Sequence, residues 1–118
     1  MNHVRKRFEV EIDSGKVEIL RGKSEILLKG FDDDSLDWVY IDTTHSYQQT
    51  KKEFELSEQK VKNEGVIAGH DYCRGNVNKA LPYGVVRAVN EFCLNKGWEM
   101  RYLTHEPNRA LSFALKKI

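Results

Sequence analysis

The stretch Leu36-Asp37-Trp38-Val39-Tyr40-Ile41-Asp42-Thr43-Thr44-His45-Ser46-Tyr47 decides how this chain is read. Trp38 to Ile41 are consecutive β-formers, which predicts a strand over Asp37–Ile41, buried on both faces at the centre of a parallel sheet. Ser46 and Gln49 have the spacing of a capping box, so a helix is expected to start directly after the turn. Strand, polar turn and helix in that order form the basic unit of an open α/β sheet. Such sheets bind ligands at the carboxyl ends of their strands. Asp42 and His45 stand at that end.

Downstream, Tyr47, Phe54 and Val61 recur every seven residues with Leu56 beside them, predicting one helix that Asn63-Glu64-Gly65 ends. Val66-Ile67-Ala68 reads as the next strand, and Gly69 allows a tight turn into His70-Asp71-Tyr72. Residues 73 to 83 predict a longer loop, of a length that often serves as a lid. Val85, Val86, Val89, Phe92 and Cys93 fit an amphipathic helix from about 84 to 95. Trp98, Met100 and Tyr102 alternate with Glu99, Arg101 and Leu103 as in a strand. After a turn at His105-Glu106-Pro107-Asn108, Arg109 to Lys116 is expected to return as the last strand of a hairpin.

Upstream, Val4, Phe8 and Ile12 suit one face of a helix over residues 1 to about 14, broken by Ser14-Gly15. Val17-Glu18-Ile19-Leu20 reads as a short strand, and Ser24 to Gly30 as a short helix with Ser24 as N-cap. Asp32-Asp33-Asp34-Ser35 reads as a solvated loop, because nothing near it completes a calcium-loop spacing. The expected fold class is therefore α/β, with residues 1–118 as a single domain.

Bulk properties narrow the function classes. Nineteen basic against 18 acidic side chains leave a net charge of +1, which argues against nucleic acid or an anionic membrane as the main partner. No apolar run approaches the roughly 18 residues of a membrane span, and the first residues carry no signal-peptide apolar segment. Cys73 and Cys93 have neither metal-pair spacing nor a disulfide framework, so a reducing cytoplasm is the expected location.

Asp42 and Asp71 each follow a predicted strand by a similar offset. On neighbouring strands the two carboxylates would converge, as a hard divalent cation such as magnesium requires. His45 lies three residues past Asp42 and His70 directly precedes Asp71, and a histidine in such a place can act as a general base near neutral pH. Each group also has a plainer role. Asp42 could cap the following helix, His45 could be a surface-loop histidine, and His70 could only hydrogen-bond Asp71. Tyr47, Tyr72, Tyr83 and Trp98 read as packing or pocket-wall residues.

Four blocks together resemble class I S-adenosylmethionine-dependent methyltransferases, in particular the small-molecule O-methyltransferase branch with an I-D-G-x-H-S-Y turn. They are Val17–Ser24, Leu36–Tyr47, Gly65–Tyr72 and Gly84–Phe92. The resemblance implies a Rossmann-like, mostly parallel sheet with a C-terminal antiparallel hairpin, and methyl transfer from S-adenosylmethionine to a small-molecule hydroxyl. It further implies Asp42 and Asp71 as ligands of Mg2+ in the manner of metal-dependent relatives, and His45 with Asp42 as the catalytic pair. Gly22, Lys23 and Ser24 would lie at the adenine end of the cofactor. Lys23 stands where the family usually has an acid, and Thr43 where it usually has glycine.

The family opens with a strand, a glycine-rich turn and a helix, and this sequence carries no such unit. Residues 1–118 therefore read as a single incomplete methyltransferase-like domain, the C-terminal portion of an enzyme lacking the first β-α-β unit. On that reading the isolated chain is weak or inactive. A strand built for the middle of a sheet would lose a neighbour, so direct repacking against residues 17–20, a homodimer, or an N-terminal segment from elsewhere is expected to cover the edge. The alternative is a non-catalytic methyltransferase-like oligomerisation or interaction module. A metal-dependent hydrolase using the same two acids is a third reading.

Overall fold

Helices and strands alternate along most of the chain in the computed structural model, which describes residues 2–107 and 110–118. In order they are α1 (Asn2–Arg7), α2 (Glu9–Asp13), α3 (Ser24–Lys29), β1 (Leu36–Ile41), α4 (Tyr47–Lys60) and β2 (Val61–Gly69). A two-residue hairpin follows, β3 (Gly75–Asn76) with β4 (Leu81–Pro82), and then α5 (Val85–Lys96), β5 (Trp98–Leu103) and β6 (Phe113–Lys117). The main sheet has the order β1-β2-β6-β5. Parallel pairing joins β1 to β2, with Ile41 opposite Gly69. β6 runs antiparallel to both β2 and β5. This is the expected α/β fold with its C-terminal antiparallel hairpin.

The connection from β1 through α4 to β2 is a crossover that brings α4 back onto the sheet, and α5 packs beside α4. The core lies between these two helices and one face of the sheet. Phe54 of α4, Phe92 of α5 and Phe113 of β6 meet there, with ring centroids 5.0 Å apart for the first pair and 6.1 Å for Phe54 and Phe113. Phe54, Ile67, Val89 and Leu115 are completely buried. α3 packs against α4, whereas α1 and α2 contact chiefly each other. No described helix is long and apolar enough to cross a membrane.

Several expectations are corrected. Residues 17–20 are not a strand: Lys16 and Val17 donate their N–H groups to the Glu11 carbonyl, and the segment pairs with no described strand. The amino-terminal helix is two short ones, interrupted at Phe8. α4 ends at Lys60, and Val61 already opens β2 in extended backbone. Lys62 to Gly65 stand opposite the single residue Asp37 in the β1–β2 register rather than ending a helix, since Leu36 pairs with Val61 and Trp38 with Val66. A Cβ on Gly65 would lie 2.2 Å from Val61 Cγ1 and 2.8 Å from the Asp37 carbonyl, so glycine is what permits this bulge. The loop at 73–83 contains the β3–β4 hairpin. The last strand begins at Phe113, and its expected start at Arg109 lies outside the described residues, as does Asn108 of the turn.

The largest correction concerns β1. It is a strand, but it sits at the edge of the sheet rather than at its centre. Strand alternation turns Ile41 into the core and Trp38 and Tyr40 to the opposite face. Ile41 is buried, while Trp38 is 63% and Tyr40 47% exposed. Direct repacking of residues 17–20 onto this edge does not occur.

Candidate functional site

Because Ile41 and Gly69 are paired in a parallel ladder, the chain leaves both strands at the same end of the sheet. Asp42 and Asp71 therefore emerge side by side. The His70 N–H donates to the Ile41 carbonyl at 3.1 Å, which ties the two exits together. His45 and Asp71 both adopt left-handed backbone, with φ of 62° and 60°. Such conformations cost on the order of 1 kcal/mol or more for residues other than glycine, and surrounding contacts must hold them. Here Gly84 N–H donates to the His45 carbonyl at 2.8 Å, and Tyr72 N–H to the Leu111 carbonyl at 2.9 Å. A Cβ on Gly84 would lie 2.3 Å from the Tyr47 nitrogen, so only glycine lets the start of α5 approach the turn so closely.

These constraints deliver a compact polar cluster. His45 Nε2 lies 2.7 Å from Asp71 Oδ2, and His70 Nδ1 lies 3.2 Å from the same oxygen. Ligating atoms of Asp42, His45 and Asp71 all fall within 4.8 Å of one another. The imidazole of His45 stacks on Tyr83, with centroids 4.3 Å apart and planes 16° off parallel. Tyr83 is thus a pocket wall, and His70 partners Asp71. Beside Asp71 a cleft of about 490 Å³ opens, lined by Cys73, Asn76, Asn78, Tyr83 and Pro107 among others. Of these lining residues the sequence singled out Tyr83; Cys73, Asn76 and Asn78 had only the length of the 73–83 loop as a signal, and Pro107 had none as a wall.

The three candidate cofactor residues are placed differently. Gly22 and Lys23 are exposed at the start of α3, where Lys23, not Ser24, occupies the N-cap without a side-chain cap bond. Ser24 instead donates its hydroxyl to Glu53, a residue of α4 that the sequence reading passed over. Glu53 is 1% exposed and also accepts from Thr43 Oγ1 at 2.8 Å. Ser46 does cap α4 through the Gln49 N–H, at 3.3 Å. The Gln49 side chain does not complete the capping box. It reaches Glu25 at 2.7 Å and Glu53 at 3.1 Å instead.

Tyr47, which ends the opening stretch, locks the turn to α5. Its hydroxyl donates to Glu91, and the Arg87 guanidinium lies 4.0 Å above its ring. The Tyr47 hydroxyl bond, followed by the bond from Arg87, holds the Glu91 carboxyl below the usual glutamate range. A depressed carboxyl stabilises the fold above its unfolded-state pKa, and that contribution fades as pH falls through the folded value. Glu91→Gln should accordingly lower the denaturation midpoint at pH 7. The gap to the parent should begin to narrow as pH falls past the unperturbed glutamate value of about 4.3 and should close only below the depressed folded value. A constant gap in urea melts across that range would refute this. Burial pushes the Cys93 thiol up, in keeping with a packing role on α5.

Comparison with known proteins adds the family. A methyltransferase-domain model matches residues 2–72, more than half of the chain. No curated protein sequence matches. Among solved structures, an O-methyltransferase family protein from Burkholderia thailandensis superposes with a TM-score of 0.69 at 12% identity, over 98% of this chain and 40% of that one. A SAM dependent methyltransferase from Aquifex aeolicus gives 0.60 at 16% identity, over 92% of this chain and 60% of that one. TrmN from Thermus thermophilus gives 0.59 at 16% identity, over 94% and 32%. The chain thus spans from about a third to three fifths of these neighbours, and at such identities the likeness is one of fold.

Proposed function

Because the chain belongs to the methyltransferase-domain family, we propose that it carries the acceptor-activating part of an S-adenosylmethionine-dependent O-methyltransferase acting on a small-molecule hydroxyl. The observation that carries this reading is the 2.7 Å contact between His45 Nε2 and Asp71 Oδ2 at neighbouring strand ends. With Nε2–H donated to Asp71, the imidazole keeps Nδ1 as its proton acceptor. Asp71 orients the ring and stabilises the imidazolium that forms when the acceptor hydroxyl gives up its proton. Tyr83 fixes the ring plane from the other side, and the cleft beside Asp71 supplies the space for an acceptor.

A divalent cation fits the donor set. Asp42 and Asp71 offer carboxylate oxygens within 4.8 Å of one another, and both histidine contacts of Asp71 fall on Oδ2, leaving Oδ1 for a metal while His45 keeps Nδ1 for the proton. Mg2+ held there would lower the pKa of the acceptor hydroxyl. The cofactor fits these residues less well. The Ser24 hydroxyl is committed to Glu53, and Lys23 presents a cation where an acid would meet an adenine edge. The described residues contain no glycine-rich strand–turn–helix unit, and on this proposal Gly22 to Ser24 form only the rim of a cofactor site.

Calorimetry tests the proposal. The chain should bind Mg2+ or Mn2+ alone, and S-adenosylmethionine only after addition of a segment that supplies the glycine-rich unit. Absence of both signals in both conditions would overturn it. One observation favours the second reading, a non-catalytic oligomerisation or interaction module: the exposed Trp38 and Tyr40 on the unpaired edge strand. Under either reading a second copy or an N-terminal segment covers that edge. Sedimentation showing a monomer would remove the homodimer.

A further inference from the structure

α4 lies over the sheet, and helix packing asks only for apolar side chains on its inner face. α4 departs from that pattern by burying Thr50, Glu53, Ser57 and Lys60 beside Phe54, and Glu53, 1% exposed, is the acid among them. A buried carboxylate is tolerated only when its lone pairs are fully used. Those of Glu53 are used in two directions. Oε1 accepts from Ser24 Oγ and from Gln49 Nε2, the latter at 3.1 Å. Oε2 accepts from Thr43 Oγ1 at 2.8 Å. Gln49 is itself steadied by Glu25 Oε2 at 2.7 Å and Ser24 Oγ at 3.2 Å. Among the described residues no lysine or arginine pairs with Glu53, so hydrogen bonds alone compensate the charge.

We infer that Glu53 is a positioning residue for the turn that carries Asp42 and His45, fastening that turn through Thr43 to a rigid helix and, through Ser24, to the start of α3. Thr43 lies between the two candidate site residues, and His45 needs outside support for its φ of 62°. A hydroxyl anchored on a packed helix supplies such support, because neither α4 nor its carboxylate can follow the turn if it drifts. The catalytic meaning of Glu53 rests on the proposed roles of Asp42 and His45, whereas its effect on placement is read without substrate, cofactor or metal.

Nuclear magnetic resonance of the metal-free chain decides the matter. Thr43→Val removes one hydroxyl at nearly equal volume and leaves Glu53 its other two donors. Glu53→Gln keeps the shape and removes the charge. Both variants should displace the amide signals of residues 42–45 and the His45 imidazole, and should lose the cross-peaks between His45 and Tyr83. Amides of α5 and β5 should stay in place. Ser24→Ala, which cuts only the link to α3, should lower thermal stability without moving the His45 signals. If Glu53→Gln fails to fold, Thr43→Val carries the test alone. A folded Thr43→Val with unchanged His45 signals and intact His45–Tyr83 cross-peaks would overturn the inference and leave Glu53 as a staple between α3 and α4. Failure of the calorimetric experiment would leave this result untouched.

Discussion

Phe54→Ala should remove a large part of the stability of this chain. The ring is completely buried and stacks on Phe92 at 5.0 Å while meeting Phe113 at 6.1 Å, so its loss opens a cavity where helix α4, helix α5 and the sheet converge. Truncating a buried phenylalanine costs about 3–5 kcal/mol, the lost transfer energy plus the cavity that incomplete relaxation leaves. A domain of this length has a total stability on the order of 10 kcal/mol. The variant should therefore unfold at a far lower urea concentration, with an unchanged slope if two-state behaviour holds. Leu94→Ala is the matching control. Leu94 lies on α5 but is 86% exposed, and its truncation should change stability by no more than about 0.5 kcal/mol. Equal midpoints for the two variants would show that the core is not organised around Phe54.

Asp71→Asn should abolish divalent cation binding under the proposed reading. Asparagine is the substitution of choice because Asp71 has a φ of 60°, a backbone that asparagine adopts more readily than alanine does. The change keeps the shape and removes one of the two carboxylates in the Asp42–His45–Asp71 cluster. Loss of even an outer hydrogen-bonding partner weakens metal sites by about 10- to 100-fold, so loss of a ligand charge should weaken Mn2+ binding by about two orders of magnitude or more. Asp37→Asn controls for charge alone. Asp37 is an exposed partner of Lys62 at 2.6 Å, on the same strand as the approach to Asp42 but outside the cluster. Electron paramagnetic resonance of free Mn2+ reads both variants. Comparable affinities for the parent and Asp71→Asn would dismiss these residues as a cation site.

The candidate site was more legible than the sheet around it. Asp42, His45 and Asp71 could be picked out because strand-end turns expose polar groups whatever the neighbouring strands do. Their offsets from Ile41 and Gly69 were enough to bring them together once those strands paired in parallel. Glu53 was not legible, because in sequence it reads as one more charged residue in a helix rich in glutamate and lysine. Its partners Ser24 and Thr43 are 29 and 10 residues away, and only the docking of α3 and the turn on α4 makes it a buried acceptor. The cleft beside Asp71 was hidden for a similar reason, since its walls come from a hairpin and from Pro107, which are far apart in the chain.

What the sequence determined by itself is local. Consecutive β-formers made Trp38 to Ile41 a strand, Ser46 capped the helix that follows, and Tyr47 and Phe54, seven residues apart, marked its side facing the core, whereas Val61 of the same recurrence fell in β2. Each depends on residues within a turn or two of one another. Tertiary structure alone decided which elements found partners. Residues 17–20 did not become a strand, because a ladder needs a neighbour and the N–H of Val17, like that of Lys16 before it, went to the Glu11 carbonyl. β1, built from residues suited to burial on both faces, received a partner on one edge only, and its face opposite the core leaves Trp38 and Tyr40 exposed. Backbone hydrogen bonds between strands join residues remote in sequence, and no local pattern records whether the second strand will be there.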